Sequence, residues 1–205
     1  GGHAGPQSPF ALIQEIRGWF EGFVSGICDG PPPRRIAELI ALAEADVVVT
    51  EHVAGARSAS VGLWVEVGSR DETDEQHGAA HFLEHLLFKG TRRRTAMQIA
   101  SAFDEVGGDS NAVTAKEHTL YYGRVRSADV PMAVDVLTDM ITASVLERDA
   151  LATEREVILE ELAMAEDDPQ DVGYETFLAH VLGPETAIGR PVGGTAQTVT
   201  DLRPV

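Results

Sequence analysis

Gly78-Ala-Ala-His-Phe-Leu-Glu-His-Leu-Leu-Phe88 is the stretch on which the reading of this chain turns. On a helix advancing about 100° per residue, with His81 at zero, His85 falls at about 40°, so both imidazoles share one face. Glu84 falls at about −60° and flanks that face. Ala79, Ala80, Phe82, Leu83, Leu86 and Leu87 fill most of the remaining circumference. A helix apolar nearly all round is a buried helix. Three ionisable groups gathered on one side of it need partners, because unpaired buried charge is very costly.

Histidines at i and i+4 are the usual helical arrangement for a divalent metal, most often zinc. A carboxylate beside the metal can take a proton from water that the metal has activated. His-x-x-Glu-His is the inverted order of the common zinc-protease motif. The alternative is a pair of core histidines hydrogen-bonded to backbone, with Glu84 in an ion pair. A third ligand separates the two readings. In the helix read over residues 148–166, Glu154 and Glu161 lie on one face, two turns apart, among Val157, Ile158, Leu162 and Ala165. Glu156 and Glu160 point the other way, toward solvent. The two inward carboxylates are about 10.5 Å apart along the axis, so one metal cannot take both. One is a ligand and the other an orienting partner for a histidine; helix geometry leaves open which.

The surrounding chain predicts an α+β fold, an antiparallel sheet packed against helices. Residues 47–53 read as a strand, and Val61, Leu63, Val65 and Val67 alternate as a second. The metal helix covers residues 75–89, closed by Gly90, and another covers residues 96–106, stopped by Gly107 and Gly108. Strands at 110–115 and 118–125 follow, then helices at 130–143, 148–166 and 170–182, and a tail that is mostly loop. Ahead of all this, residues 10–28 have helical spacing, with Leu12, Ile13, Ile16, Phe20, Phe23, Val24 and Ile27 on the apolar side. A Pro-rich break covers residues 29–35, and a short helix is expected over 36–45. We therefore divide the chain into an atypical N-terminal segment, residues 1–43, and a domain over residues 44–205.

Composition narrows the classes. The 205 residues carry 33 acidic and 16 basic side chains, a formal net charge of −17. No basic footprint suits nucleic acid. No run of about 18 apolar residues suits a membrane span, and the first residues fit neither a secretory nor a mitochondrial leader. A single cysteine, Cys28, forms no internal disulfide. A cytoplasmic location is the expectation. Arg92, Arg93 and Arg94 read as a solvated loop, Tyr121 and Tyr122 as sheet packing, and the other histidines as unrelated to the metal.

His81-Phe-Leu-Glu-His85, with Glu161 76 residues after His85 and Glu154 seven residues before Glu161, resembles the pitrilysin/insulinase peptidases. These are the inverzincins, and the likeness is to their processing-peptidase-like branch. The resemblance implies Zn2+ held by His81, His85 and Glu161, with Glu84 as general base and Glu154 supporting the site without binding the ion. Residues 58–71 resemble the strand leading into the family's metal helix. Gly107-Gly-Asp-Ser-Asn-Ala-Val-Thr114 is similar to its glycine turn and edge strand. There the substrate peptide adds as an extra strand, with Asn111 and Ala112 near the scissile bond. Residues 189–192, Gly-Arg-Pro-Val, also look familial. Family members consist of two related halves that close into a chamber, and the resemblance covers the first, over roughly residues 45–200. It implies a second half, or a homo-oligomer, as partner, and a peptide or protein as substrate.

The function expected is that of a zinc metalloendopeptidase, or its catalytic half. Water activated by the metal attacks a peptide carbonyl after giving its proton to Glu84. The alternative is a non-catalytic peptide-binding or partner subunit derived from such a peptidase. A metal-dependent lyase of the S-ribosylhomocysteine type shares a similar helix motif. It needs a cysteine in its site, and Cys28 lies in the unmatched segment.

Overall fold

The computed structural model describes residues 22–27 and 47–202. Five strands form one sheet in the order β2-β1-β3-β5-β4. They are β1 (Gly22–Ile27), β2 (Val47–Glu51), β3 (Ser58–Val65), β4 (Asp109–Thr114) and β5 (Thr119–Arg126). All neighbours run antiparallel except β1 and β2. The helices are α1 (Ala79–Leu87), α2 (Ala96–Asp104), α3 (Val130–Ala143), α4 (Arg148–Asp167), α5 (Pro169–Leu182) and α6 (Ala196–Asp201). The class is α+β, as the sequence predicts. None of the described helices is long and apolar enough to cross a membrane.

Alternation places the core. Ala59, Val61, Leu63 and Val65 on β3 and Tyr121 and Val125 on β5 turn inward, where Val134, Leu137 and Met140 of α3 join the same cluster. Successive strand side chains face opposite sides, so every second residue suffices. Helix ends follow local chemistry. Thr95 and Gln98 bond reciprocally across the first turn of α2. The Asp168 carboxylate accepts the Gln170 N–H at the start of α5, with Pro169 in the first helical position.

The metal helix is shorter than expected, starting at Ala79 after a separate turn at Asp74–Gln76, and α6 stands where the tail reads as loop; two other segments need more account. Gly22–Ile27 is strand β1, not the end of an amphipathic helix. A short apolar run containing Gly22 and Gly26 fits either state, and glycine disfavours helix by about 1 kcal/mol. Here the run pairs with β2 on one side and β3 on the other. The rest of the expected helix over 10–28, the Pro-rich break, the helix over 36–45, His3, Cys28 and the division at residue 43 lie outside the described residues. The second is the arginine loop, solvated at Arg92 and Arg93 as expected but also ion-paired. Arg93 is bidentate on Asp135 at 3.0 Å, and Arg94 reaches Asp139 at 2.5 Å and also bonds Asp135. Thr91 donates to Asp139 at 2.7 Å. The loop after α1 is thus fastened onto α3, because Asp135 and Asp139 stand one turn apart facing it.

α4 carries Leu151, Glu154 and Ile158 inward on one stripe. Ile158 is fully buried between the levels of the two carboxylates. Ile158→Ala is expected to lower stability by about 2–5 kcal/mol through lost burial and a residual cavity. A urea midpoint within error of wild type would show that this stripe does not anchor α4.

Candidate metal centre

α1 starts where Gly78, at φ +94°, takes a left-handed conformation that a side chain would strain. Ala79, Ala80, Phe82, Leu83, Leu86 and Leu87 are buried around the helix, leaving the arc that carries His81, Glu84 and His85. The imidazoles of His81 and His85 meet edge to face, with centroids 4.8 Å apart. Across from them lies α4. Glu161 Oε2 stands 3.8 Å from His81 Nε2 and 3.4 Å from His85 Nε2. One donor atom from each of these three residues lies within 4.8 Å of the others.

Glu154 approaches from the other side. Its Oε2 is 3.3 Å from His85 Nδ1, and its Oε1 is 2.7 Å from Lys89 Nζ. Glu154 is buried, whereas the Glu161 side chain is 46% exposed, so the mouth of the site opens on the Glu161 side. The sequence places both carboxylates inside the apolar stripe. The structure keeps only Glu154 there, because Glu161 is two turns further on, where α4 is passing out of the core. Glu156 and Glu160 are exposed, as the helical angles require.

Burial pushes the His81 imidazole down to about 4, and the neighbouring His85 pushes the same way. His81 is therefore neutral at pH 7, with a lone pair to give. Burial raises the Glu84 carboxyl above its ordinary range, opposed by hydrogen bonds from the Thr114 hydroxyl and backbone. Glu84 is not one of the three converging groups. Its partner Thr114 ends β4, one of the two edge strands of the described sheet. Asn111 is exposed on that edge and its Oδ1 accepts the Ala112 N–H at 2.9 Å. Ala112 turns inward beside its cross-strand partner Tyr121. The structure thus brings His81, Glu84, His85, Glu154 and Glu161 together and sets β4 alongside.

Two neighbours escaped the sequence reading. Lys89 lies four residues after His85, in the turn just past the end of α1, and that spacing was its signal. Thr114 closes the Asn-Ala-x-Thr run but showed no tie to Glu84 until α1 and β4 were placed side by side. His77 does not face the metal ligands: its Nε2 donates to the Pro191 carbonyl at 2.7 Å. Between α4, α5 and the loop that follows, a cavity of about 190 Å³ is walled by Leu162, Ala165, Val172 and Pro191, with Asp171 and Glu175 also lining it.

The donor set fits zinc. Two imidazole nitrogens and one carboxylate oxygen are the three protein ligands of a catalytic zinc site, which keeps its fourth position open. At 3.4 and 3.8 Å the carboxylate and imidazoles are beyond good hydrogen-bond length, so they surround a space rather than bond one another.

Known proteins resemble this chain over most of its length. An uncharacterized zinc protease of Streptomyces coelicolor is 54% identical over 155 residues, which are 76% of this chain and 34% of that protein. The matched residues thus span about a third of the length of these curated relatives. Pitrilysin superposes with a TM-score of 0.61 at 30% identity, over 70% of this chain and 15% of that one. An inactive peptidase domain from Pseudomonas fluorescens shares the fold at a TM-score of 0.61 and 16% identity, over 71% of this chain and 35% of that one. Residues 47–195 match the family described as Insulinase (Peptidase family M16), and the chain belongs to that family.

Proposed function

We propose that this chain is the zinc-binding, catalytic part of a metalloendopeptidase. The carrying observation is the convergence of His81, His85 and Glu161 on one point, with Glu84 beside them and an edge strand alongside. His81, His85 and Glu161 would hold the ion, and Glu154 would orient His85. Zinc bound there supplies a Lewis acid for a peptide carbonyl and lowers the pKa of water toward neutrality. Glu84 accepts the proton of the attacking water and later returns it to the leaving amine. Thr114 holds the Glu84 carboxylate in place. The peptide lies along β4 as an added strand, past Asn111 and Ala112, so backbone hydrogen bonds present the scissile bond to Glu84.

Relatives about twice this length are consistent with further chain facing the open mouth, and we propose that a second half covers it. The inactive domain with the same fold favours the other reading, a partner subunit that binds peptide without turnover. The presence here of all four groups, His81, Glu84, His85 and Glu161, supports chemistry instead. The test is elemental analysis with a quenched-peptide assay, on this chain and on the longer protein containing it. The expected result is about one zinc per chain, with cleavage that a chelator removes and zinc restores. Cleavage indifferent to the chelator, or absent from the longer protein, would overturn the proposal.

A further inference from the structure

Histidines that bind metal ordinarily donate their remote ring N–H to an oxygen that fixes the ring. His85 has such an oxygen in Glu154. His81 Nδ1 is buried with no hydrogen-bond partner among the described residues. Packing must therefore hold that ring. Behind it runs the loop of residues 189–195: a Cβ on Gly193 would sit 3.6 Å from His81 Nδ1 and 3.0 Å from Leu162. We infer that Glu72 and Arg190 are positioning residues for the metal site, clasping this loop to the first turn of α1 and so fixing His81.

The clasp has two jaws. Gly78, the residue capping α1, has no side chain to satisfy the first N–H groups of the helix. Glu72 supplies what is missing. Its Oε2 accepts the Gly78 N–H at 2.9 Å and its Oε1 accepts the Ala80 N–H at 2.7 Å, one residue before His81. Arg190 is the second jaw and is itself buried. One amino group donates to Asp74 at 2.7 Å, and the other donates to the Glu72 and Thr73 carbonyls. The loop is held at two further points, where Lys116 Nζ donates to the Arg190 carbonyl at 2.6 Å and His77 donates to the Pro191 carbonyl.

Backbone meets backbone at this junction. A Cβ on Gly78 would lie 2.8 Å from the Gly193 carbonyl, and one on Gly194, at φ +82°, would lie 2.8 Å from the His77 carbonyl. So close a fit transmits any shift of the loop directly to the start of α1. Burial pushes the Glu72 carboxyl up to about 7, even against the two N–H donors and the Arg190 charge. The two N–H groups it accepts from show that this carboxyl works on the helix it caps.

This inference rests on the proposed metal site, and cobalt(II) tests it without any need for turnover. The full chain is loaded with cobalt, affinity is read by chelator competition, and the visible absorption of the bound ion reports its geometry. Glu72→Ala and Arg190→Met are each expected to weaken cobalt binding about tenfold and to shift the cobalt band, with far-UV circular dichroism unchanged. Glu72→Gln keeps one acceptor oxygen and should recover part of the affinity. If Glu72→Ala does not fold, Glu72→Gln and Arg190→Lys decide by the same two readouts. Wild-type affinity and spectrum in the folded variants, beside loss of cobalt in Glu161→Gln, would sink the clasp and leave the metal site standing. Failure of the wild type to bind cobalt would remove both.

Discussion

Glu84→Gln is expected to abolish peptide cleavage while zinc content stays at the wild-type level. Glutamine matches glutamate in size and still accepts the Thr114 hydroxyl, so α1 and β4 keep their contact. What it loses is the ability to take a proton. Loss of a positioned general base costs typically 10²–10⁴-fold in rate. The proposed ligands His81, His85 and Glu161 are untouched, because Glu84 stands outside the converging set. The result therefore splits two quantities that unfolding would lower together. It is checked by quenched-peptide turnover and elemental zinc on the same preparation, with a urea melt to confirm the fold. Residual cleavage within a few-fold of wild type would remove Glu84 from the chemistry. Loss of zinc along with activity would make it a structural support of the site.

How much of this was legible beforehand depends on whether a local period carries it. The i, i+4 histidines and the seven-residue spacing of Glu154 and Glu161 are local, and the structure places all four as helical angles require. The core strands β3 and β5 follow from alternation in the same way. Glu161 was misjudged in degree: the period gives direction but not depth, and α4 leaves the core before reaching it. β1 was misread because a six-residue apolar run satisfies both helix and strand, and only pairing with β2 and β3 decides. α6 was missed because Val199 and Leu202 are its only buried apolar anchors, too few for a helical stripe. Arg155 fastens that end by donating to their carbonyls. The pairing of Arg93 and Arg94 with Asp135 and Asp139, and of Arg190 with Asp74, joins residues far apart in sequence, where no periodicity exists to be read.

The two carboxylates of α4 give the other large effect, since helix geometry alone makes them equivalent and the structure does not. Glu161 faces the Nε2 atoms of both histidines, at 3.8 and 3.4 Å. Glu154 faces the opposite nitrogen of His85, Nδ1, and is paired with Lys89. An ion held by the Nε2 atoms would be ligated by Glu161, whereas Glu154, on the Nδ1 side of His85, would orient that ring. Glu161→Gln therefore removes a ligand, leaving two imidazoles where a catalytic zinc site needs three protein donors. Zinc per chain is expected to fall from about one to near zero after dialysis against a weak chelator. Glu154→Gln removes only an orienting partner and is expected to weaken zinc about 10–100-fold, with the ion retained at millimolar excess. Chelator competition on both variants checks the order. Equal loss in the two, or the larger loss in Glu154→Gln, would mean that the carboxylate bound to the metal is the buried one and that Glu161 serves only the open mouth.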